Sequence, residues 1–225
     1  MKVALCLHGL FNSTTDETSN GYDGYTHIKK HILDVHDTDV FIHSWEVDKS
    51  YQISSLYNPK LSIFQTQLNF NSVIKNNNLN TLHNPPRPPF NVLSHLYSVT
   101  ESINLAFQEK TKYDIIIKAR FDLGRINRKT SGPGLGNPYA VQCINLKTNI
   151  SKDKIYMANW NHFHMGPADM WFYGSPSIMK YFTTLYQSLK ENMKIGGEFH
   201  QFATLIEGNS GDLSNAIAFY KWWMI

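Results

Sequence analysis

Lys118, Arg120 and Asp122 alternate at the end of an apolar run, Tyr113-Asp-Ile-Ile-Ile-Lys-Ala-Arg-Phe-Asp-Leu123. β-Branched residues without a polar break form strands buried on both faces. Open α/β sheets bind ligands beyond the carboxyl ends of their strands. The lysine, the arginine and the aspartate therefore leave the sheet where a ligand would sit. The plain alternative is a structural ion pair, Arg120 with Asp122, capping the strand. His8 and Gly9 close a second apolar run and open a glycine-containing loop, a common resting place for a nucleotide. Trp45 ends a third run beside His43 and Ser44; packing is the usual role of such a tryptophan, and stacking on a base or sugar is the functional one.

Other candidates are less specific. His162-x-His164 has the spacing of a metal-ligand pair, but two histidines alone are a weak signal. Asp169 stands before Met-Trp-Phe-Tyr-Gly174, where an acid can serve as a base or as a turn residue. Glu198 and His200 fall in the first turn of a predicted helix, and Glu198 there also suits the helix dipole. Arg125, Arg128 and Lys129 precede three spaced glycines, but no Gly-Lys-Ser/Thr follows, so a solvated loop is favoured over a phosphate loop. His-Gly after a strand also occurs in the oxyanion loop of α/β-hydrolases. That reading requires a Gly-x-Ser-x-Gly elbow, which is lacking here.

The elements that must position these groups follow from periodicity. Strands are predicted at residues 2–8, 39–45, 59–65, 113–123, 140–146 and 154–160, with another after Asp169 and a closing one in 216–225. Helices are predicted at 26–33, 91–109 and 196–208, and one begins at Ser175-Pro-Ser. The helix at 91–109 carries Leu93, Leu96, Tyr97, Thr100, Ile103 and Phe107 at three- and four-residue spacing, with Asn91 as N-cap. It leads straight into the strand at 113, a crossover that implies a parallel sheet. Residues 13–25 and the asparagine- and proline-rich 69–90 read as surface loops.

Composition narrows the class. The 225 residues are 42% hydrophobic and 17% charged, as in an ordinary globular protein. No internal repeat or linker divides the chain, so one domain over 1–225 is expected. A net charge of +3 with no dominant basic run argues against nucleic acid, while mild basicity suits an anionic substrate. Cys6 and Cys143 lie in apolar runs and read as reduced core residues, with a disulfide the minor option. No segment is long and apolar enough for a signal peptide or a membrane span.

Four motifs in order carry a family resemblance: Val-Ala-Leu-Cys-Leu before His-Gly, Val-Phe-Ile-His-Ser-Trp45, the Ile-Ile-Ile-Lys-Ala-Arg-Phe-Asp strand, and Asp-Met-Trp-Phe-Tyr-Gly-Ser175 before a helix. Together, over about residues 1–208, they resemble GT-A type nucleotide-sugar glycosyltransferases. The likeness is to the polysaccharide- and lipopolysaccharide-synthesis groups of bacteria and large viruses, with Arg-x-Asp in place of Asp-x-Asp. The resemblance implies a Rossmann-like, mostly parallel α/β sheet flanked by helices, and a nucleotide-diphosphate sugar donor transferred to a glycan or lipid-linked acceptor. His8, Gly9 and Trp45 would lie near the nucleoside, and Lys118 and Arg120 at the diphosphate. Asp122 would hold Mn²⁺ or Mg²⁺, with His200 as second ligand, and Asp169 or Glu198 would be the base. The replaced first aspartate makes the metal the least secure part of that expectation. A sugar nucleotidyltransferase would show a charged glycine-rich loop after the first strand, unlike Leu10-Phe-Asn-Ser. A non-catalytic carbohydrate- or nucleotide-binding protein of the same shape is the other alternative. The expected location is the cytoplasm, or host cytoplasm for a viral source.

Overall fold

The computed structural model describes residues 1–11, 21–76, 89–124, 144, 146–147, 149–157, 170–184 and 186–187. Six strands form one sheet in the order β3-β2-β1-β4-β6-β5. They are β1 (Lys2–Gly9), β2 (Asp37–Ser44), β3 (Leu61–Phe64), β4 (Ile115–Arg120), β5 (Ile155–Met157) and β6 (Trp171–Gly174). The first four run parallel, and β6 lies antiparallel to both β4 and β5. The result is a mostly parallel α/β sheet with helices on both faces.

Alternation along β1 explains the two cores. Val3, Leu5 and Leu7 meet α1 (Gly21–Ile28) and α2 (Ser50–Tyr57) through Ile28, Ile32, Ile53 and Tyr57. Ala4 and Cys6 face the long helix α4 (Pro89–Gln108), which buries Leu93, Leu96, Val99, Ile103 and Ala106. Successive side chains of a strand point to opposite faces, so a strand buried on both sides must be apolar throughout. β1 and β4 meet that demand until their last residues.

The helices change face between β3 and β4. The chain winds β1, β2, β3 outward in one direction, then returns across α3 (Asn71–Asn76) and α4 to place β4 on the other side of β1. β1 and β4 therefore flank the point where strand order reverses, the position at which doubly wound sheets open a crevice beyond their carboxyl ends. At the opposite, amino edge, Asp39 joins Lys2 and Lys60 at 2.8 and 3.0 Å and accepts from the Tyr113 hydroxyl at 2.8 Å. Burial pushes Asp39 up, but bonds from Lys2, Tyr113 and Lys60 outweigh it and lower its pKa to about 2.

Several expected boundaries move. The first helix starts at Gly21 and not at Thr26, and it ends in a π-helical turn, Lys29–Leu33. Glycines normally mark loops; here they permit contact, since a Cβ on Gly24 would lie 1.7 Å from the Phe121 carbonyl oxygen. α2 was not foreseen, and α3 and the first two residues of α4, Pro89 and Phe90, fall inside the stretch read as loop. Asn91 sits within α4 and is not its cap; Pro89 starts the helix, where its fixed φ is suitable. Ser175 does cap the helical turn α5 (Pro176–Met179), which runs on into a 3₁₀ segment, Lys180–Thr184. Ile144 and Leu146 stand outside any strand.

Candidate functional site at the carboxyl edge

Strand register brings the polar ends together. His8 pairs with His43 on β2 and with Arg120 on β4, while Lys118 pairs with Cys6 on β1 and Phe172 on β6. All four side chains belong to the face covered by α4. One row across three parallel strands thus reads His43, His8, Arg120, with Lys118 one step deeper. His8, His43 and Lys118 are at most 1% exposed, whereas Arg120 is partly open.

The His43 side is a closed hydrogen-bond network. Gln65 meets His43 Nε2 at 3.0 Å through its amide nitrogen, which leaves Nδ1 to carry the proton. Nδ1 donates to Ser98 Oγ at 2.7 Å, and the same oxygen accepts from the Gly9 amide at 3.1 Å. The Ser98 hydroxyl in turn points to the His43 carbonyl at 3.4 Å. One serine on α4 therefore ties the ends of β1 and β2 together. Burial lowers the His43 pKa to about 4, which keeps the ring neutral and this bond pattern intact. The Ser44 hydroxyl donates to the Gly9 carbonyl at 2.9 Å, and Glu46 accepts from the Phe11 amide, so the loops leaving β1 and β2 are also joined.

The β4 side concentrates positive charge. Lys118 Nζ lies 5.1 Å from the centre of the Phe172 ring, a cation–π contact that offsets part of its burial. Arg120 grips Asp122 with both arms of its fork, Nε to Oδ1 at 2.8 Å and Nη2 to Oδ2 at 2.7 Å. Between the two sides sits His8, edge-on to His95 of α4 at 4.8 Å. Neither ring nitrogen of His8 has a hydrogen-bond partner among the described residues. Burial first, then the charge of Lys118 and the neighbouring His95, Arg120 and His43, hold its pKa well below the usual histidine range. Gly9 follows with φ of 95°, and the position of its missing Cβ faces open space.

An aromatic set borders the row at the end of β2. The Trp45 ring packs across His43 at 4.6 Å and stacks on Tyr97 of α4 at 5.5 Å, and Tyr97 meets Tyr186 at 5.1 Å. Trp45 and Tyr97 are both half-buried, so they combine packing with an accessible ring edge.

Of the residues singled out in the sequence, His8, Gly9, Trp45, Lys118, Arg120 and Asp122 come together at this edge. Asp169, Glu198, His200, His162 and His164 lie outside the described residues. Sequence reading missed Ser98, Gln65, His95 and Tyr97 as site residues. His95 and Ser98 carried a signal, since a polar pair three residues apart among the buried positions of a helix needs partners. Trp171 and Tyr173, aromatic residues that suit stacking on a sugar but by default pack in a core, belong to the core on the other face of β6.

A divalent cation is not well served by this donor set. Hard cations collect several oxygen ligands, yet both Asp122 oxygens are held by the Arg120 fork, with Lys118 on the same strand. Among the described residues no three His, Cys, Asp or Glu side chains group as a metal site. No helix among them is long and apolar enough to cross a membrane. No protein-family model matches the chain and no curated protein matches it.

Proposed function

We propose that the chain is a glycosyltransferase that takes a sugar from a nucleotide-diphosphate donor, with the diphosphate at the carboxyl edge between β1 and β4. The observation that carries the reading is the row His43, His8, Arg120 with Lys118 beneath it, at the switch point of a mostly parallel sheet. Cationic groups collected in a low-dielectric edge favour an anion far more than the same groups in water. The Arg120 fork matches two phosphate oxygens, and its partial exposure lets it exchange Asp122 for a ligand. Lys118, buried and fixed, supplies a charge that needs no reorganisation when the diphosphate departs. Trp45 with Tyr97 offers a ring edge to the base or the sugar. The order of the four motifs supports a GT-A type architecture and a glycan or lipid-linked acceptor. Asp169 is assigned as the base for the acceptor hydroxyl, with Glu198 next. If a Mn²⁺ or Mg²⁺ ion binds, it would neutralise diphosphate charge, and Asp122 would first have to leave Arg120.

The capture of Asp122 by Arg120 favours a second reading, a nucleotide- or carbohydrate-binding protein without transfer activity. A thermal-shift panel of UDP-, GDP-, CMP- and dTDP-sugars, with and without Mn²⁺, on wild type and Arg120→Met tests both. One nucleotide family should raise the melting temperature of wild type and leave the variant unmoved. Release of nucleoside diphosphate from that sugar then separates the transferase from the binding protein. Stabilisation by none of the nucleotide-sugars would remove the transferase reading and leave the carbohydrate-binding protein.

A further inference from the structure

His8 is fully enclosed yet has neither a donor nor an acceptor on its ring nitrogens among the described residues. Buried polar groups are almost always satisfied, and the exceptions mark absent ligands, ions or water. The groups that face this imidazole decide which ligand completes it. They are Lys118 and Arg120 from β4, His43 from β2 and His95 from α4. His43 is committed on both nitrogens, to Ser98 and Gln65. Each of these neighbours is cationic or can become so, and Asp122, just beyond β4, is turned to Arg120. An anion would supply the acceptors that the described residues do not give this imidazole.

We propose that an oxyanion of the phosphate class binds at His8 and is captured together with a proton, so that the imidazolium, Lys118 and Arg120 jointly face its oxygens. Protonation turns both ring nitrogens into donors, and phosphate oxygens supply the acceptors that the described residues do not. Burial and surrounding positive charge oppose the imidazolium, and an anion would offset them, so anion and proton favour each other's binding. The Gly9 Cα borders open space directly after His8, which leaves room for the approach. Binding should therefore weaken as pH rises, by about tenfold per pH unit wherever His8 is neutral in the empty protein and protonated in the complex. The inference rests on the phosphate-edge reading and adds the group that senses the ligand's charge.

Inorganic pyrophosphate is the probe, with ring-nitrogen NMR of the histidines in the full chain as the readout. In wild type at neutral pH, the His8 signal should pass from the neutral to the doubly protonated pattern as pyrophosphate saturates the protein. His8→Gln should bind with an affinity that lacks this tenfold fall per pH unit. His95→Gln should retain the transition, which separates the buried ring from its half-exposed neighbour. Pyrophosphate binding with His8 still neutral overturns this inference and leaves the phosphate edge standing. Absence of pyrophosphate binding at this edge overturns both.

Discussion

Ser98→Ala and Ser102→Ala form a matched pair on α4. Both serines are 0% exposed on the same helix, and the substitution removes the same oxygen. Their partners differ. Ser102 donates only to the Val99 carbonyl one turn back, at 2.9 Å. That carbonyl is a helix acceptor, so its loss leaves no donor stranded, and the change is expected to fall within about 0.5 kcal/mol of neutral. Ser98 Oγ accepts from His43 Nδ1 at 2.7 Å and from the Gly9 amide at 3.1 Å. Deleting it strands two buried donors, each costing about 1–3 kcal/mol. The two share one acceptor and relax together, so a total of about 2–4 kcal/mol is expected. For a chain of this size that corresponds to a fall in melting temperature of roughly 4–16 °C. Thermal and urea unfolding followed by circular dichroism would measure it. A Ser98→Ala shift no larger than that of Ser102→Ala would refute the reasoning, because burial and helix propensity are common to both.

Acidification should destabilise the carboxyl edge before the amino edge. His43 has a pKa lowered to about 4 from 6.5, so between those values the unfolded chain binds more protons than the folded one. Stability therefore drops as pH falls through that window, by about 2 kcal/mol from roughly pH 7 to 5 for this group, with His8 adding in the same direction. Urea midpoints across the range check it; a flat profile would show that His43 is not held neutral. Asp39 has the opposite origin, a carboxylate favoured by its partners, so its contribution holds down to the acid range and is lost as pH falls from 3.8 towards about 2. Gly24→Ala should cost several kcal/mol although alanine is the better helix former by about 1 kcal/mol, because the new Cβ would meet the Phe121 carbonyl oxygen at 1.7 Å; unchanged stability would mean that α1 does not pack against the end of β4. Arg120→Met should change stability by less than about 1 kcal/mol, since its pair with Asp122 is partly exposed, yet abolish pyrophosphate binding by calorimetry. Retained binding would remove Arg120 from the site.

The parallel core was legible in the residues. Unbroken β-branched and apolar runs at β1, β2 and β4 can only be buried on both faces, and their polar ends marked the ligand edge without any tertiary information. His8, Lys118 and Arg120 were readable for that reason. What joins them was not. His43, Gln65 and Ser98 lie 22 and 33 residues apart along the chain, and only the crossover that lays α4 over β1 and β2 makes them one network. Helix α1 begins in a glycine-rich polar segment whose local preference is for loop; Gly21 and Gly24 are helical because they let the backbone close on Phe11 and Phe121. α2 buries only Ile53 and Tyr57, too few positions to show a period. The antiparallel direction of β6 has no local signature, since four buried residues look alike in either direction. Local chemistry set which strands form and what their ends carry. Long-range packing decided which ends meet, and it alone enclosed His8 without a hydrogen-bond partner among the described residues.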